Sequence, residues 1–219
     1  MKERGSKSVR TLVISPKLAQ VPPRTDAKLV QIVDAAFADA AQRSGDHLKC
    51  RPGCTQCCVG VFAISQLDAA RLTVGMRDLK KRNPERASRV RQRAEESIRR
   101  TAEEFPGNRC TGILAEDPQS QRAFDDFAND EPCPALDPNT GLCDLYSSRP
   151  MTCRVFGPPV RTEGGLGVCE LCFTDANEEE VARCEMIADP DGLEDRLLKK
   201  LQESEGKRGQ TIVAYALLR

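Results

Sequence analysis

The sequence predicts a mainly α fold with an irregular, loop-rich region around clustered cysteines that is stabilised by metal, and with little β structure. Three observations support this fold class. Apolar residues recur at helical spacing in several segments, the stretch from Asn108 to Gly167 is rich in turn-forming residues, and the 219-residue chain contains eleven cysteines. A long irregular segment is uncommon in a compact domain unless something besides a hydrophobic core holds it. We therefore expect a metal to organise it.

Three helices are predicted in the first half of the chain. Apolar residues recur at helical spacing from Asp26 to Arg43, with Thr25 as the expected N-cap. Ser65 and Asp68 indicate a capping box for a helix that runs to about residue 81. A third helix begins near Pro84, since Pro is favoured in the first helical turn. Glu–Arg pairs four residues apart are expected to stabilise its exposed face; they are Glu85 with Arg89, Glu95 with Arg99, and Glu96 with Arg100.

Two helices are predicted in the second half. One should run from about Asp175 to Ile187, with Val181, Cys184 and Ile187 on its buried face. The other follows Asp191 and carries a leucine stripe. The segments "VGVFAI", residues 59–64, and "QTIVAYALL", residues 210–218, are apolar enough for a buried strand or a docked last turn.

The charges bound the classes of partner and the domain organisation. Lys plus Arg and Asp plus Glu both number 33, so no net field attracts nucleic acid or an anionic membrane. We interpret the basic segment from Arg77 to Arg93 as a solvated helical face, because acidic residues follow it and no aromatic residues interleave. Residues 1–25 are expected to be a polar N-terminal arm. Residues 26–219 should form a single α-rich domain that contains the cysteine region 50–172.

The compartment shapes the interpretation of the cysteines. No apolar run near the N-terminus has the length of a signal peptide, and none elsewhere is long enough to span a bilayer, so we expect a cytoplasmic protein with no membrane partner. Disulfides are rare in the reducing cytosol, and an odd number of cysteines cannot pair completely. Clustered thiols in this setting indicate metal ligands or redox centres.

Two CxxC pairs, Cys54 with Cys57 and Cys169 with Cys172, have the spacing at which a tight turn directs two sulfurs to one ion. Neighbouring side chains point in different directions, so the adjacent Cys57 and Cys58 either serve two centres or share a multinuclear cluster. Both possibilities are open at this point. The candidate ligands are Cys50, Cys54, Cys57, Cys58, Cys133, Cys143, Cys153, Cys169 and Cys172.

An alternative interpretation makes the first four cysteines the buried stripe of a helix, since free Cys behaves as a small hydrophobe. Pro52 and Gly53 argue against a helix at that position. Cys184 is expected to be a core thiol, and the role of Cys110 is undecided. The lone histidine, His47, is interpreted as a surface residue beside the cluster, with metal ligation as the sharper alternative.

The segments "CRPGCTQCC" and "CPALDPNTGLCDLYSSRPMTCRVFGPP" resemble the YkgJ-type cysteine-cluster family, described as zinc- or iron-chelating. The resemblance covers about Cys50 to Cys172 and implies eight ligands, with one of Cys169 and Cys172 as the last. Three residues, not two, separate Cys50 from Cys54, which departs from the family pattern. A related branch resembles flagellin lysine methylases and implies S-adenosylmethionine as a further cofactor. The glycines of "TEGGLG", residues 162–167, lack the strand–loop–helix setting of a nucleotide site and indicate a turn.

The residues around the last cysteines suggest supporting roles. Four thiolates around Zn²⁺ or an oxidised cubane leave a net negative charge that is costly to bury. Arg149 and Arg154 are candidates to offset that charge next to the ligands. Tyr146 and Phe156 are candidates for a lid that limits solvent access.

Three functions follow from these observations. The leading hypothesis is a protein that holds an iron-sulfur cluster or Zn²⁺ for a structural and redox role. The second is a methyltransferase-like or redox enzyme that uses the centre. The third is a zinc-stapled interaction module whose basic helices bind a protein partner that the sequence does not identify.

Overall fold

The computed structural model of the protein describes residues 24–162 and 165–219. Almost all of the expected N-terminal arm, including its "TLVIS" segment, lies outside these residues. Within them, helices dominate and the strands form only two-stranded antiparallel pairs. The predicted mainly α fold class is therefore confirmed. No helix in the described part of the chain combines the length and the apolar character that crossing a bilayer requires.

The first predicted helix is present as α1, Arg24–Ser44. Since it begins before Thr25, this residue lies in the first turn and is not the N-cap. The helix packs on two later elements, α5, Met151–Val155, and α7, Leu193–Glu205. The core between them contains buried residues of all three elements and of the preceding loop; they include Leu29, Val33, Met151, Met186 and Leu197.

The central layer consists of α2, Gln66–Arg82, α3, Pro84–Thr101, and the short C-terminal α8, Val213–Leu217. Each of the three packs against the other two. They bury the largest apolar cluster of the described residues, which includes Leu72, Leu79, Val90, Ala94, Ala216 and Leu217. Ala87, Val90 and Ala94 form the face of α3 that contributes to this cluster.

The exposed face of α3 differs from the prediction in its ion pairs. Glu95 pairs with Arg91 at 3.0 Å, and Arg100 reaches beyond the helix to Glu131 at 2.6 Å. Glu131, in a neighbouring loop, can replace Glu96 as the partner of Arg100 because an ion pair between exposed i,i+4 side chains is weak.

The predicted starts of α2 and α3 are confirmed at atomic detail. The Asp68 backbone N–H donates to Ser65 Oγ at 3.2 Å, and the Asp68 carboxylate accepts from the Ser65 backbone N–H at 3.3 Å, which completes the capping box. At the next helix the Arg86 N–H donates to Asn83 Oδ1 at 3.0 Å, and Pro84 occupies the first turn.

We predict that Ser65→Ala lowers the free energy of unfolding by about 1 kcal/mol, the usual effect of removing an N-cap side chain. Urea denaturation followed by circular dichroism measures this change. Ser88→Ala, at an exposed position inside α3, is the matched control and should be neutral or slightly stabilising. Equal effects of the two substitutions would contradict the role of the cap.

The two apolar segments left open by the sequence pair with each other. Strand β1, Ala63–Ile64, pairs antiparallel with β8, Thr211–Ile212, with Ala63 opposite Ile212. The chain then continues directly into α8. The segment near the C-terminus is therefore both a strand and a last helix.

The stretch from Asn108 to Gly167 is loop-rich, as predicted, but contains several short elements. The hairpin β2–β3, Gly107–Asn108 with Ile113–Leu114, precedes α4, Pro118–Asp125. A second hairpin joins β4, Leu136–Asp137, to β5, Leu142–Cys143. A 3₁₀ turn, Tyr146–Ser148, leads to α5, and a third hairpin pairs β6, Val160–Thr162, with β7, Gly165–Gly167. The glycines of "TEGGLG" thus belong to a hairpin, in agreement with the predicted turn.

The helix predicted from Asp175 to Ile187 is shorter than expected. Helix α6 comprises only Glu178–Arg183, capped by Asn177. Ile187 lies beyond it with 65% exposure, so its assignment to a buried face is wrong. Cys184 follows the helix and is buried, which confirms its assignment as a core thiol.

Candidate metal centre

The nine candidate thiols fall into two sets by chain order and by contact. The outer set comprises the first two and the last two in chain order, Cys50, Cys54, Cys169 and Cys172. The inner set comprises the five between them, Cys57, Cys58, Cys133, Cys143 and Cys153. The division separates the Cys54/Cys57 pair of the first CxxC motif and keeps the adjacent Cys57 and Cys58 together.

Two turns carry the outer set. Pro52 and Gly53 form a turn between Cys50 and Cys54, in which Gly53 has the positive φ of 88° that glycine tolerates. Cys169 and Cys172 flank a second turn, closed by a hydrogen bond from the Cys172 N–H to the Cys169 carbonyl at 2.8 Å. The helical-stripe alternative for the first cysteines is therefore wrong at the Pro-Gly step.

Contacts between the backbones hold the two turns together. The Lys49 N–H donates to Cys172 Sγ at 3.4 Å, and the Phe173 N–H donates to the His47 carbonyl at 3.0 Å. The side chains of Gln56 and Glu170 form a further hydrogen bond between the segments. The first and last cysteines of the region are thus neighbours, although more than a hundred residues separate them in the sequence.

Electrostatic interactions confirm which thiols lie near one another in the outer set. Burial, with negative charge on Cys172, Cys54 and Cys169 contributing, raises the pKa of Cys50 to about 12. Burial is also the main cause of the raised pKa of Cys169, with Cys172 and Cys54 contributing. Like charges that disfavour one another in this way are those a bound cation would stabilise together.

The backbone also assembles the inner set. Cys57 and Cys58 lie in a 3₁₀ turn, Gln56–Cys58, and the Cys133 N–H donates to the Cys58 carbonyl at 2.7 Å. The β4–β5 hairpin places Cys143 opposite Leu136, whose N–H donates to the Cys133 carbonyl at 2.9 Å. Helix α5 supplies Cys153. Four separate chain segments therefore converge on this set.

The thiols of the inner set influence one another in the same manner. Burial raises the pKa of Cys133 to about 12, with negative charge on Cys143 and Cys57 contributing. The pKa of Cys153 is also raised, by burial first and then by Cys133, Cys57 and Cys143. For Cys50, Cys133 and Cys153 alike, the thiols with the strongest effects belong to the residue's own set.

Cys57 is the exception among these thiols. A hydrogen bond from Cys58 lowers its pKa to about 6, and the positive charge of Arg149 contributes in the same direction. The same hydrogen bond raises the pKa of Cys58, because that thiol must keep its proton to donate. One proton is thus shared between the adjacent cysteines, with the negative charge on Cys57.

We predict that Cys57 is the most reactive thiol of the inner set in the reduced, metal-free protein. Its iodoacetamide alkylation rate should be half-maximal near pH 6, because the thiolate is the nucleophile and predominates above the pKa. Replacing Cys58 with alanine removes the hydrogen bond and should move this midpoint upward by more than one pH unit. Alkylation followed by peptide mass spectrometry measures both midpoints; an unchanged midpoint in the variant would contradict the assignment.

Asp144 anchors the inner set to the helical layer, a role that the sequence did not indicate. Its side chain is 2% exposed and pairs with Arg86 and with Arg93, the latter at 2.6 Å. Arg93 also donates to the Pro134 carbonyl at 2.9 Å. Arg93 therefore holds Pro134, the residue after Cys133, and both arginines hold Asp144, the residue after Cys143. The interpretation of residues 77–93 as a solvated face is wrong for Arg86 and Arg93.

A second buried ion cluster supports Cys153. Arg71 Nη2 lies 2.7 Å from Asp26 Oδ1, and Arg71 also pairs with Asp68. Asp68 Oδ1 accepts a hydrogen bond of 2.9 Å from the Met151 N–H at the start of α5. This carboxylate therefore connects the cap of α2 to the helix that carries Cys153.

Both arginines predicted to support the ligands donate to Asp34 of α1, Arg149 at 3.3 Å and Arg154 at 2.8 Å, and they differ in their other contacts. The Arg149 guanidinium lies 4.0 Å from the Tyr146 ring centroid. Its charge contributes to the lowered pKa of Cys57 and opposes the burial that raises the pKa of Cys143. Arg154 is buried, and its guanidinium donates to Asp34 at 2.8 Å and to the carbonyls of residues 147 and 149. Its hydrogen bonds thus hold the segment before Cys153 against α1.

The remaining residues considered from the sequence are not part of either set. Tyr146 and Phe156 are 64% and 40% exposed. His47 stacks on Phe173 with ring centroids 5.4 Å apart and contacts Asp175 at 3.2 Å. Cys110 is exposed and lies at the β2–β3 hairpin, where its N–H donates to Asn108 Oδ1. Cys184 packs beside Cys169 and Cys172 in a small apolar cluster.

The donor chemistry of both sets suits a thiophilic ion, since thiolates are preferred ligands of Zn²⁺ and of iron–sulfur clusters. Across residues 24–162 and 165–219, no three His, Cys, Asp or Glu side chains are already arranged around one point as ligands. Several thiols form hydrogen bonds with one another instead, as between Cys57 and Cys58 and between Cys50 and Cys172. The backbone thus gathers the donors, and binding would require their side chains to turn.

The sequence comparisons agree with this chemistry. Residues 49–172 match the family model described as CxxCxxCC, putative zinc- or iron-chelating domain. Comparison with curated proteins and with solved structures finds no match. The family match spans more than half of the chain and contains all nine thiols of the two sets. The chain therefore belongs to the CxxCxxCC family of zinc- or iron-chelating domains.

Proposed function

We propose that the protein holds Zn²⁺ or an iron–sulfur cluster through the thiolates of the outer and inner sets, and that this metal fixes the structure of residues 50–172. The observation that carries the proposal is the convergence of nine cysteines from five chain segments into the two sets. Their mutual electrostatic effects are unfavourable without a cation. A bound metal would relieve this repulsion.

The residues around the thiols support such a centre. Four thiolates and one divalent ion carry a net charge of about −2, which nearby cations stabilise. Lys49 and Arg51 border the outer set beside a groove that also contains Cys54. Arg149 has the corresponding position at the inner set, where its charge acts on two thiols. We propose Arg149 as the cation that supports the inner ligands, whereas Arg154 supports the backbone.

The structural role follows from the short elements of this region. Its strands are two or three residues long, and isolated hairpins of that size are only marginally stable in water. Metal binding to such a segment contributes directly to folding free energy. A redox role is an addition to this proposal that depends on iron as the bound metal.

The alternative functions have less support. The glycines of residues 162–167 lie in a hairpin, so no described feature provides a nucleotide loop for S-adenosylmethionine. The module hypothesis relied on a basic helical surface, but Arg86 and Arg93 of that segment are used to hold Asp144. We therefore propose metal binding, and not methyl transfer or partner binding, as the main function.

Anaerobic purification with analysis of zinc, iron and acid-labile sulfide tests the proposal. We expect stoichiometric metal in the wild-type protein, and a brown colour with sulfide if the metal is iron. Cys153→Ser should lose metal, whereas Cys110→Ser, at an exposed cysteine outside both sets, should retain it. Wild-type protein without thiol-bound metal, or full metal content in Cys153→Ser, would refute the proposal. With iron bound, reversible bleaching by dithionite would establish the redox addition, and its absence would exclude it.

A further inference from the structure

The nine thiols exceed the number that one four-coordinate ion can bind, and their arrangement indicates how they divide. The outer set has four sulfurs on two facing turns, the number and pattern of a closed tetrathiolate site. The inner set has five sulfurs on four segments. We propose that the two sets are two independent metal centres, with a single tetrathiolate ion in the outer set and a separate centre in the inner set. This inference rests on the proposed function.

The boundary between the centres lies within the first CxxC motif. Cys54 follows the Pro-Gly turn and lines the groove beside Leu171, which is in the Cys169–Cys172 turn. Cys57 begins the other side of the boundary, since it hydrogen-bonds with Cys58, whose carbonyl accepts from the Cys133 N–H. Cys54 and Cys57 are thus only three residues apart, yet their neighbours belong to different sets.

The two sets are packed against different parts of the protein. Cys169 and Cys172 belong to a small apolar cluster with Phe173 and Cys184. Cys133 and Cys143 instead pack against the main core formed by α2, α3 and α8. Each set also has cations of its own, Lys49 and Arg51 at the outer one and Arg149 at the inner one. Different packing and different counter-charges allow one set to release its metal while the other retains it.

Exposure predicts the order of release. Cys50 is exposed and Cys54 borders an open groove, so a chelator can approach the outer set from its first turn, even though Cys169 and Cys172 are buried. All five inner thiols are part-buried, and two of them, Cys133 and Cys143, pack against the core beside the Asp144 ion pairs. We therefore expect the outer centre to lose its metal first.

Wild-type holoprotein provides the main test. Purified anaerobic protein is exposed to EDTA in the presence of N-ethylmaleimide, and samples are quenched over time for zinc and iron analysis and for peptide mass spectrometry. We expect two phases, with Cys50, Cys54, Cys169 and Cys172 labelled in the first and the five inner thiols in the second. Fragment ions must separate Cys54 from Cys57, which share a tryptic peptide because no Lys or Arg lies between them; Cys50 is on the same peptide because the Arg51–Pro52 bond resists trypsin.

Matched variants on either side of the boundary give a second test. Cys54→Ser should lose the metal of the outer set and leave the inner thiols protected from labelling. Cys57→Ser should do the reverse, and Cys110→Ser should match the wild type. A single centre would instead expose all nine thiols in both cysteine variants.

The outcomes separate this inference from the proposed function. Labelling of Cys54 together with Cys57 in one phase, accompanied by release of all metal, would overturn the two-centre division and leave metal binding intact. Immediate labelling of all nine thiols in protein that contains no metal would overturn the proposed function itself. A variant that fails to fold does not affect the wild-type measurement, which decides between these outcomes alone.

Discussion

Replacing Arg71 with methionine is expected to lower the free energy of unfolding by about 3–5 kcal/mol, the effect of leaving buried charges without their partner. The side chains of Arg71, Asp26 and Asp68 are each 4–6% exposed. Methionine fills similar space but cannot neutralise the two carboxylates. Loss of the ion cluster should also loosen α5, because Asp68 holds its first N–H.

The pH dependence distinguishes this electrostatic cost from a packing defect. Burial, reinforced by the charge of Asp68, raises the pKa of Glu194 to about 7, and Arg71 opposes this shift. Since this folded-state pKa lies above the usual glutamate value of 4.5, the stability associated with Glu194 is full below about pH 4.5 and is lost as the pH rises through 7. In the variant, protonation of the buried carboxylates at acidic pH should recover part of the lost stability.

Urea denaturation from pH 5 to pH 8 measures the effect of Arg71→Met. The control is Arg91→Met, which removes an exposed arginine paired with Glu95 and should cost less than about 1 kcal/mol. A loss below that value for Arg71→Met, or a loss that is independent of pH, would contradict the electrostatic account.

The second large effect is expected from Asp144→Ala, which should destabilise the protein by about 3 kcal/mol because two charge-assisted hydrogen-bonded pairs are lost. Its arginine partners are 36% and 21% exposed, so water can partly compensate them. The residue lies next to Cys143, and we expect the variant to lose metal from the inner set more readily than the wild type. Thermal denaturation and the rate of metal release to EDTA measure the two effects.

Arg93→Gln and Arg91→Gln form the matched pair for this prediction, since both lie on α3 but only Arg93 reaches Asp144. Arg93→Gln should reproduce part of the loss, while Arg91→Gln should change neither stability nor metal release. Equal metal release in the two variants would show that the Asp144 pairs do not hold the inner set.

The sequence predicted the local features of the fold well because they depend on neighbouring residues. Ser65 with Asp68, and Asn83 with Pro84, set the starts of α2 and α3 through short-range hydrogen bonds and backbone geometry. The prediction of a helix up to Ile187 was wrong because the apolar spacing continues past Arg183, whereas the helix ends at that residue. Periodicity identifies a compatible face but does not fix where a helix ends.

The candidate site was predicted in its chemistry but not in its assembly. Thiol count and spacing identified the nine candidate ligands, whereas their division into two sets depends on contacts between segments distant in sequence. The CxxC spacing favoured Cys54 and Cys57 as one pair, yet Cys54 lines a groove with Leu171 of the Cys169–Cys172 turn, whereas Cys57 hydrogen-bonds with Cys58. Asp144 gave no sequence signal, because a single carboxylate in a loop acquires its role only when α3 packs against it.

The nested chain order of the two sets has a consequence for the path of folding. Every inner cysteine lies between the two halves of the outer set, so closing the inner set first shortens the loop that the outer set must close from over a hundred residues to roughly twenty, which lowers the entropic cost by about 1.5 kcal/mol. The two outer turns then join the ends of a loop whose middle is already held together by the inner set. Closing the inner set before the outer set is therefore the favoured order of folding. The Cys169–Cys172 turn, the last of the cysteine segments to be synthesised, is also the last to close.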